Sequence, residues 1–151
     1  TLLQARVQLS DEVVLVQQWG RQWLLARHQG RAALMSSHGD LLSCQLAQQL
    51  GHGYGHGRLD WVMVMDPVAS DHIDCWTALA HTVRAEHQGQ PPLLPGQRLQ
   101  SSGLMLRPLL GQHRRWHLRV NAQLHQLKQS GRGALRWDNA GEAFGEVAEP
   151  G

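Results

Sequence analysis

The feature that most constrains the fold is an unbroken apolar run, Trp-Val-Met-Val-Met, at positions 61–65. A strand with one face in water alternates apolar and polar side chains, whereas a continuous run is typical of a strand covered on both faces. Asp66 and Pro67 follow the run and close it. The sequence therefore predicts a buried central strand over residues 58–66, with other layers packed around its sheet.

The residues before this strand predict an antiparallel meander. Segments 2–8, 13–16, 22–27 and 32–35 are apolar or alternating, and turn residues such as Trp19-Gly20 separate them. We expect the first third of the chain to fold as consecutive hairpins.

A helix is predicted over residues 41–50. Asp40 is a candidate N-cap, and leucines recur at every fourth position up to Leu50. Gly51 supplies a stop, and the sequence GHGYGHG at 51–57 predicts a loop because so many glycines disfavour a regular element.

A second helix is predicted to begin at Ser70 or Asp71 and run to position 87, because apolar residues there follow the spacing of one helix face. Prolines make residues 89–103 a long connection. Residues 104–110 and 115–122 then predict a half-buried hairpin, and 134–137 a last short strand.

Together these elements predict an α+β fold, arranged as a two-layer or three-layer sandwich: antiparallel meander, helix, buried central strand, helix and C-terminal β-hairpin. A length of 151 residues with 42% hydrophobic and 17% charged residues fits one globular domain, not a disordered chain. We expect that domain over residues 1–138 and a flexible acidic tail over 139–151.

The compartment is predicted from the cysteines. Cys44 and Cys75 lie far apart without a close partner, which argues against a disulfide framework and against a thiolate zinc site. A reducing, cytoplasmic environment follows as the simpler expectation, although a chain that starts with Thr1 also fits a processed or excised protein. No apolar stretch approaches the ~20 residues of a membrane helix, so no membrane insertion is expected.

Basic residues are nearly all arginine, since Lys128 is the only lysine among the 14. Arginine forks suit carboxylate and phosphate, yet GC-rich coding gives the same bias. The ten histidines predict that any anion binding strengthens below about pH 6.5.

A first candidate site is metal-binding. His52 and His56 lie in the glycine-rich segment, and Asp66, Asp71 and His72 gather at the end of the buried strand. Imidazole and carboxylate are metal ligands, and ligands favour this edge of a sheet. The alternative is structural, because aspartates at turns and helix starts act as caps.

A second candidate is an Arg/His face on the C-terminal hairpin, made of Arg107, Arg115, His117 and Arg119. Phosphates or an acidic protein suit such a face. It lacks the aromatic residues on which single-stranded nucleic acids stack, and a solvated polar face is the plain alternative.

The third candidate is the pair Trp19 and Trp23 in the polar context QQWGRQW. Amphipathic rings flanked by Gln and Arg favour a contact surface, whereas the alternative is that both rings close the sheet edge.

The sequence contains no nucleophile elbow, phosphate loop or dinucleotide fingerprint. We therefore expect a non-enzymatic protein-protein interaction or assembly module of a larger complex, without a cofactor. It would bind through the meander edge and the Arg/His face, with 2–8 or 104–110 as open edge strands. A small metal-dependent hydrolase or metal-binding protein using a divalent cation, and a nucleic-acid-binding domain, stay open as alternatives.

Overall fold

The structure, a computed structural model, describes residues 5–10, 12–53, 57–109, 115–129 and 135–139, with side chains placed over 12–53, 57–109 and 115–128. These residues form two β-sheets and two α-helices.

The first sheet has six strands in sequential order. The strands are β1 (Ala5–Ser10), β2 (Val13–Gln18), β3 (Arg21–His28), β4 (Arg31–Ser36), β5 (Leu59–Pro67) and β6 (Ala80–Glu86). Strands β1 to β4 pair antiparallel, which confirms the predicted meander, while β4–β5 and β5–β6 pair parallel. Trp19 and Gly20 form the β2–β3 turn with φ of 52° and 75°, the conformation that two-residue hairpins favour.

The continuous apolar strand is confirmed. Residues 61–65 lie in β5 and are all buried, with β4 on one side and β6 on the other. Alternate side chains enter two different cores: Trp61 and Met63 belong to one, Val62 and Val64 to the other. A strand between two cores has no solvent face, which explains why its sequence does not alternate.

Helix α1 spans Leu41–Gly53. Asp40 caps it as predicted, because the backbone N–H of Ser43 donates to Oδ1 of Asp40 at 3.3 Å. The predicted end at position 50 was wrong, since the helix continues for three more residues and His52 lies in its last turn instead of in a loop.

The prediction of one long helix up to position 87 was also wrong. A single 3-10 turn (Ser70–His72) leads into α2 (Ile73–Leu79), and the chain then extends into β6. Trp76 and Leu79 are buried as helix residues, but Val83 pairs with Val62 in the parallel ladder. The apolar residues of α2 and of the strand after it happen to follow the spacing of one helix face. Residues 80–86 form a strand because their backbone N–H and C=O groups bond to β5.

The second sheet has five antiparallel strands in the order β11-β10-β9-β8-β7. They are β7 (Leu99–Ser101), β8 (Leu104–Pro108), β9 (Arg115–Val120), β10 (Gln123–Gln129) and β11 (Leu135–Asn139). The predicted hairpin is β8–β9 and the predicted last strand is β11. The sequence reading missed β7, inside the supposed connection, and β10. Because β8 lies between β7 and β9, it is not the open edge that was expected.

The layers follow the order helices, first sheet, second sheet. One core joins the second sheet to one face of the first, through residues such as Leu24, Trp61, Leu106 and Leu118. The other core joins the opposite face of the first sheet to both helices, through Cys44, Ala47 and Trp76. The α+β class and the three-layer alternative are therefore confirmed. Asn139, expected in the tail, is the last residue of β11, and the rest of that segment lies outside the described residues.

The two cysteines form a disulfide, so the expectation of unpaired thiols was wrong. They are 31 positions apart in sequence, but helices α1 and α2 pack on the same face of the first sheet and bring them together. Spacing in the sequence carries no sign of this proximity. Among the described residues, no helix is long and apolar enough to cross a membrane.

Candidate binding surface

The outward side of the second sheet carries all four residues of the predicted Arg/His face. Along β9, Trp116, Leu118 and Val120 are buried against the first sheet, while the alternate residues point the other way and are half-buried or exposed. Strand register places the matching residues of β8 and β10 on the same side. We call this surface the basic face; its described side chains are Met105, Arg107, Arg115, His117, Arg119, Leu124, Gln126 and Lys128.

At one end of the basic face, cations stand opposite each other across strands. Lys128 of β10 pairs in register with Arg115 of β9. The register of β11 places Arg136 beside Lys128 and Asp138 beside Gln126, on the same side of the sheet. Opposed like charges destabilise a sheet, so this arrangement is not what strand pairing alone would select.

In the middle of the face, Nη2 of Arg107 lies 3.3 Å from Nδ1 of His117. A guanidinium only donates, so Nδ1 accepts and the imidazole is neutral with its proton on Nε2. Burial, with the charges of Arg107 and Arg119, holds the pKa of His117 below its ordinary value. His117 therefore does not add the charge near pH 6.5 that the sequence suggested for histidines.

At the other end, the exposed Arg119 lies between two apolar neighbours. It pairs in register with Met105 of β8 and Leu124 of β10, both half-buried. The basic face thus combines cations with partly exposed apolar side chains, and none of its eight described side chains is a carboxylate. Neither α1 nor α2 covers the basic face, because both pack on the opposite face of the first sheet. Such a surface can attract a carboxylate-bearing group and also bury part of an apolar side chain.

The tryptophan pair does not form one surface. Trp19 is 46% exposed in its turn, whereas Trp23 is 1% exposed and its Nε1–H donates to the carbonyl of Ser43 at 3.1 Å. The prediction of Trp23 as a contact residue was wrong, because alternation along β3 turns it toward the helices.

The metal candidates are spread over separate elements. Exposed His52 lies at the end of α1 and Asp66 near the end of β5, while Asp71 and His72 lie in the 3-10 turn. Nε2 of His72 is 4.0 Å from Oδ1 of Asp71. Within the ranges where residues are described, no three His, Cys, Asp or Glu side chains are grouped to hold a metal ion. His56 lies outside those ranges.

An ion pair that sequence reasoning missed joins the β2–β3 turn to α1. The guanidinium of Arg21 bonds to the carboxylate of Asp40 and, through Nη1, to the carbonyl of Trp19 at 3.0 Å. The bond from Arg21, with further bonds from Ser43, lowers the pKa of Asp40 to about 2. Asp40 was recognised as a cap, but nothing in the sequence indicates its partner 19 positions away.

No protein family model matches the sequence, and no curated protein matches it. Among solved structures, the fold is similar to that of a metallo-beta-lactamase from Cronobacter sakazakii (Enterobacter sakazakii), a HARLDQ motif mutant, with a TM-score of 0.60 and 14% identity. The match covers 83% of this chain and 64% of that protein. The chain thus spans less than two thirds of its length, and the likeness shows the fold alone. The sequence HARLDQ does not occur in this chain.

Proposed function

We propose that this chain is a protein-binding module whose basic face takes an acidic, partly apolar segment of another protein. The observation that carries the proposal is the composition of that face: cations on β8, β9 and β10 with no carboxylate among its described side chains. Interfaces use such electrostatic complementarity for specificity and for rapid association.

The apolar part of the face favours protein over nucleic acid. Met105 and Leu124 flank Arg119, so an incoming segment gains from apolar side chains as well as from carboxylates. A phosphate backbone offers no apolar complement, and the described face carries no Phe, Tyr or Trp on which bases would stack.

The metal-dependent alternative has less support. The likeness to a metallo-beta-lactamase concerns the fold, and the described residues group no three metal-ligating side chains.

The proposal is tested with a fluorescently labelled synthetic peptide of alternating glutamate and leucine, read by anisotropy. Arg119→Glu should weaken binding about tenfold or more, because one fully reversed contact is worth roughly 1.4 kcal/mol or above. Arg84→Glu, which makes the same charge change at an exposed position on β6, is the matched control and should bind as the unchanged protein does.

Two results would overturn the proposal: equal binding by Arg119→Glu and the unchanged protein, or a preference for labelled duplex DNA. Binding to DNA through phosphates would fall steeply with added salt because counterions are released. That outcome would replace the protein partner with nucleic acid.

A further inference from the structure

The Cys44–Cys75 disulfide joins the first turns of the two helices. Cys44 is the fourth residue of α1 and Cys75 the third residue of α2, with their Cα atoms 6.3 Å apart. Cys44 is fully buried, whereas Cys75 is partly exposed. These are the only cysteines of the chain, so no other thiol competes for either of them.

Helix α2 has few other attachments within the described part of the chain. Near its end, the carbonyl of Thr77 accepts from Nη2 of Arg58 at 3.2 Å. It is seven residues long, well below the roughly 12–15 residues at which isolated helices become marginally stable. Only Trp76 and Leu79 are buried, and Nε1 of Trp76 donates to the carbonyl of Gly39 at 3.3 Å. Neither the 3-10 turn nor α2 has a side-chain hydrogen bond at its N-cap, and the turn has no buried residue.

We propose that this disulfide is a redox-controlled lock on the segment that connects β5 to β6. In the oxidised protein it fixes the start of α2 to α1. In the reduced protein the 3-10 turn and the first turn of α2 open, while Trp76 and Leu79 keep the end of the helix in place. The two sheets stay folded in both forms, because the core that joins them contains neither cysteine.

An external dithiol supplies the two electrons that reduce the bridge and is itself oxidised to a disulfide. A thiolate attacks the partly exposed sulfur of Cys75, the S–S bond breaks, and Cys44 leaves as a thiolate that takes up a proton. A second external thiolate displaces Cys75 and forms the external disulfide. Oxidation by a small-molecule disulfide such as oxidised glutathione runs the same steps in reverse and returns two external thiols.

Hydrogen exchange followed by mass spectrometry tests the lock. Peptides covering 68–76 should exchange at least about tenfold faster after treatment with dithiothreitol, while peptides from β2 and β3 keep their rates. The melting temperature should fall by about 5–10 °C, because a cross-link that closes a long loop constrains the unfolded chain.

The double variant Cys44→Ala, Cys75→Ala is the matched control. It should exchange as the reduced protein does, with or without dithiothreitol, which separates loss of the bridge from other effects of the reagent. Equal exchange of 68–76 in the oxidised and reduced protein would overturn the proposal. So would an intact mass that shows two free thiols after incubation with oxidised glutathione.

Discussion

Lys128 of β10 lies directly opposite Arg115 of β9, so one cross-strand pair of the basic face consists of two cations. Like charges directly opposite each other destabilise a sheet. The same two positive charges that attract an acidic partner in the proposed function lower the stability of the folded protein at this position.

Lys128→Glu should therefore stabilise the protein and weaken binding together. The new carboxylate faces Arg115, and we expect the free energy of unfolding to rise by about 0.5–1 kcal/mol in urea titrations. Affinity for the glutamate–leucine peptide should fall about tenfold. Lys128→Gln, which removes the charge without reversing it, should give smaller changes of the same sign. A more stable Lys128→Glu protein with unchanged affinity would remove Lys128 from the binding surface.

Asp40 combines a helix cap with an ion pair, and two substitutions separate these roles. Asp40→Asn keeps an acceptor for the N–H of Ser43 but loses the charge that Arg21 binds, whereas Asp40→Ala loses both. We expect Asp40→Ala to cost about 1–2 kcal/mol at pH 7 and Asp40→Asn less. Equal losses for both substitutions would show that the side chain acts through its charge alone.

The pH dependence of the same pair has a definite sign. Because the pKa of Asp40 is lowered to about 2 in the folded protein, its ionised form stabilises the fold above its unfolded value near 3.8. This contribution disappears as the pH falls from about 3.8 to about 2. The melting temperature of Asp40→Asn should therefore change less with pH over that window than the melting temperature of the unchanged protein.

Local patterns in the sequence predicted most of the first sheet. The meander, the capped start of α1 and the buried β5 each depend on neighbouring residues, so alternation, Asp40 and the run at 61–65 were sufficient signals. Strand β10 was missed because its two buried residues are His125 and Leu127, while Leu124 lies on the other face. A histidine at a core position and a leucine on the outer face hide the alternation of apolar and polar residues. Strand β6 was missed because parallel pairing with β5 is a tertiary effect.

Long-range contacts account for what the sequence did not show at the sites. The Arg/His face was predicted because alternation along β9 separates it from the core, but Lys128 joins it only through the register of β10. The Arg21–Asp40 pair and the disulfide join residues 19 and 31 positions apart, and no local pattern encodes either.

Trp19 and Trp23 should respond very differently to truncation. Trp23→Ala removes a buried ring and its bond to Ser43, and should cost about 3–5 kcal/mol. Trp19→Ala removes an exposed ring, so the free energy of unfolding should change by no more than about 0.5 kcal/mol. Urea unfolding of both variants measures this. A large loss for Trp19→Ala would show that its ring is packed.

Two histidines of the second sheet should weaken the fold in acid. Burial lowers the pKa of His125, and burial with nearby arginines lowers the pKa of His117. A neutral histidine whose folded pKa lies below its unfolded value near 6.5 stabilises the fold above that pH, and the contribution is lost as the pH falls through the lowered pKa. In His117→Gln and in His125→Gln, the melting temperature should fall less as the pH is lowered below 6.5 than it does in the unchanged protein. His81→Gln, at an exposed position on β6, is the control and should follow the unchanged protein.

Gly103 fixes how closely the two sheets approach at one point. Its φ is +77°, and a Cβ there would overlap the imidazole ring of His28 on β3, whose Nδ1 lies 2.9 Å from Oε2 of Glu12. Gly30 has a similar φ of +80° but open space around it. Gly30→Ala should therefore cost about 1 kcal/mol from backbone strain alone, whereas Gly103→Ala adds about 1–3 kcal/mol because the ring of His28 must move. Urea unfolding of both variants measures the difference. If the two substitutions cost the same, the His28 ring yields freely and the contact does not set the spacing of the sheets.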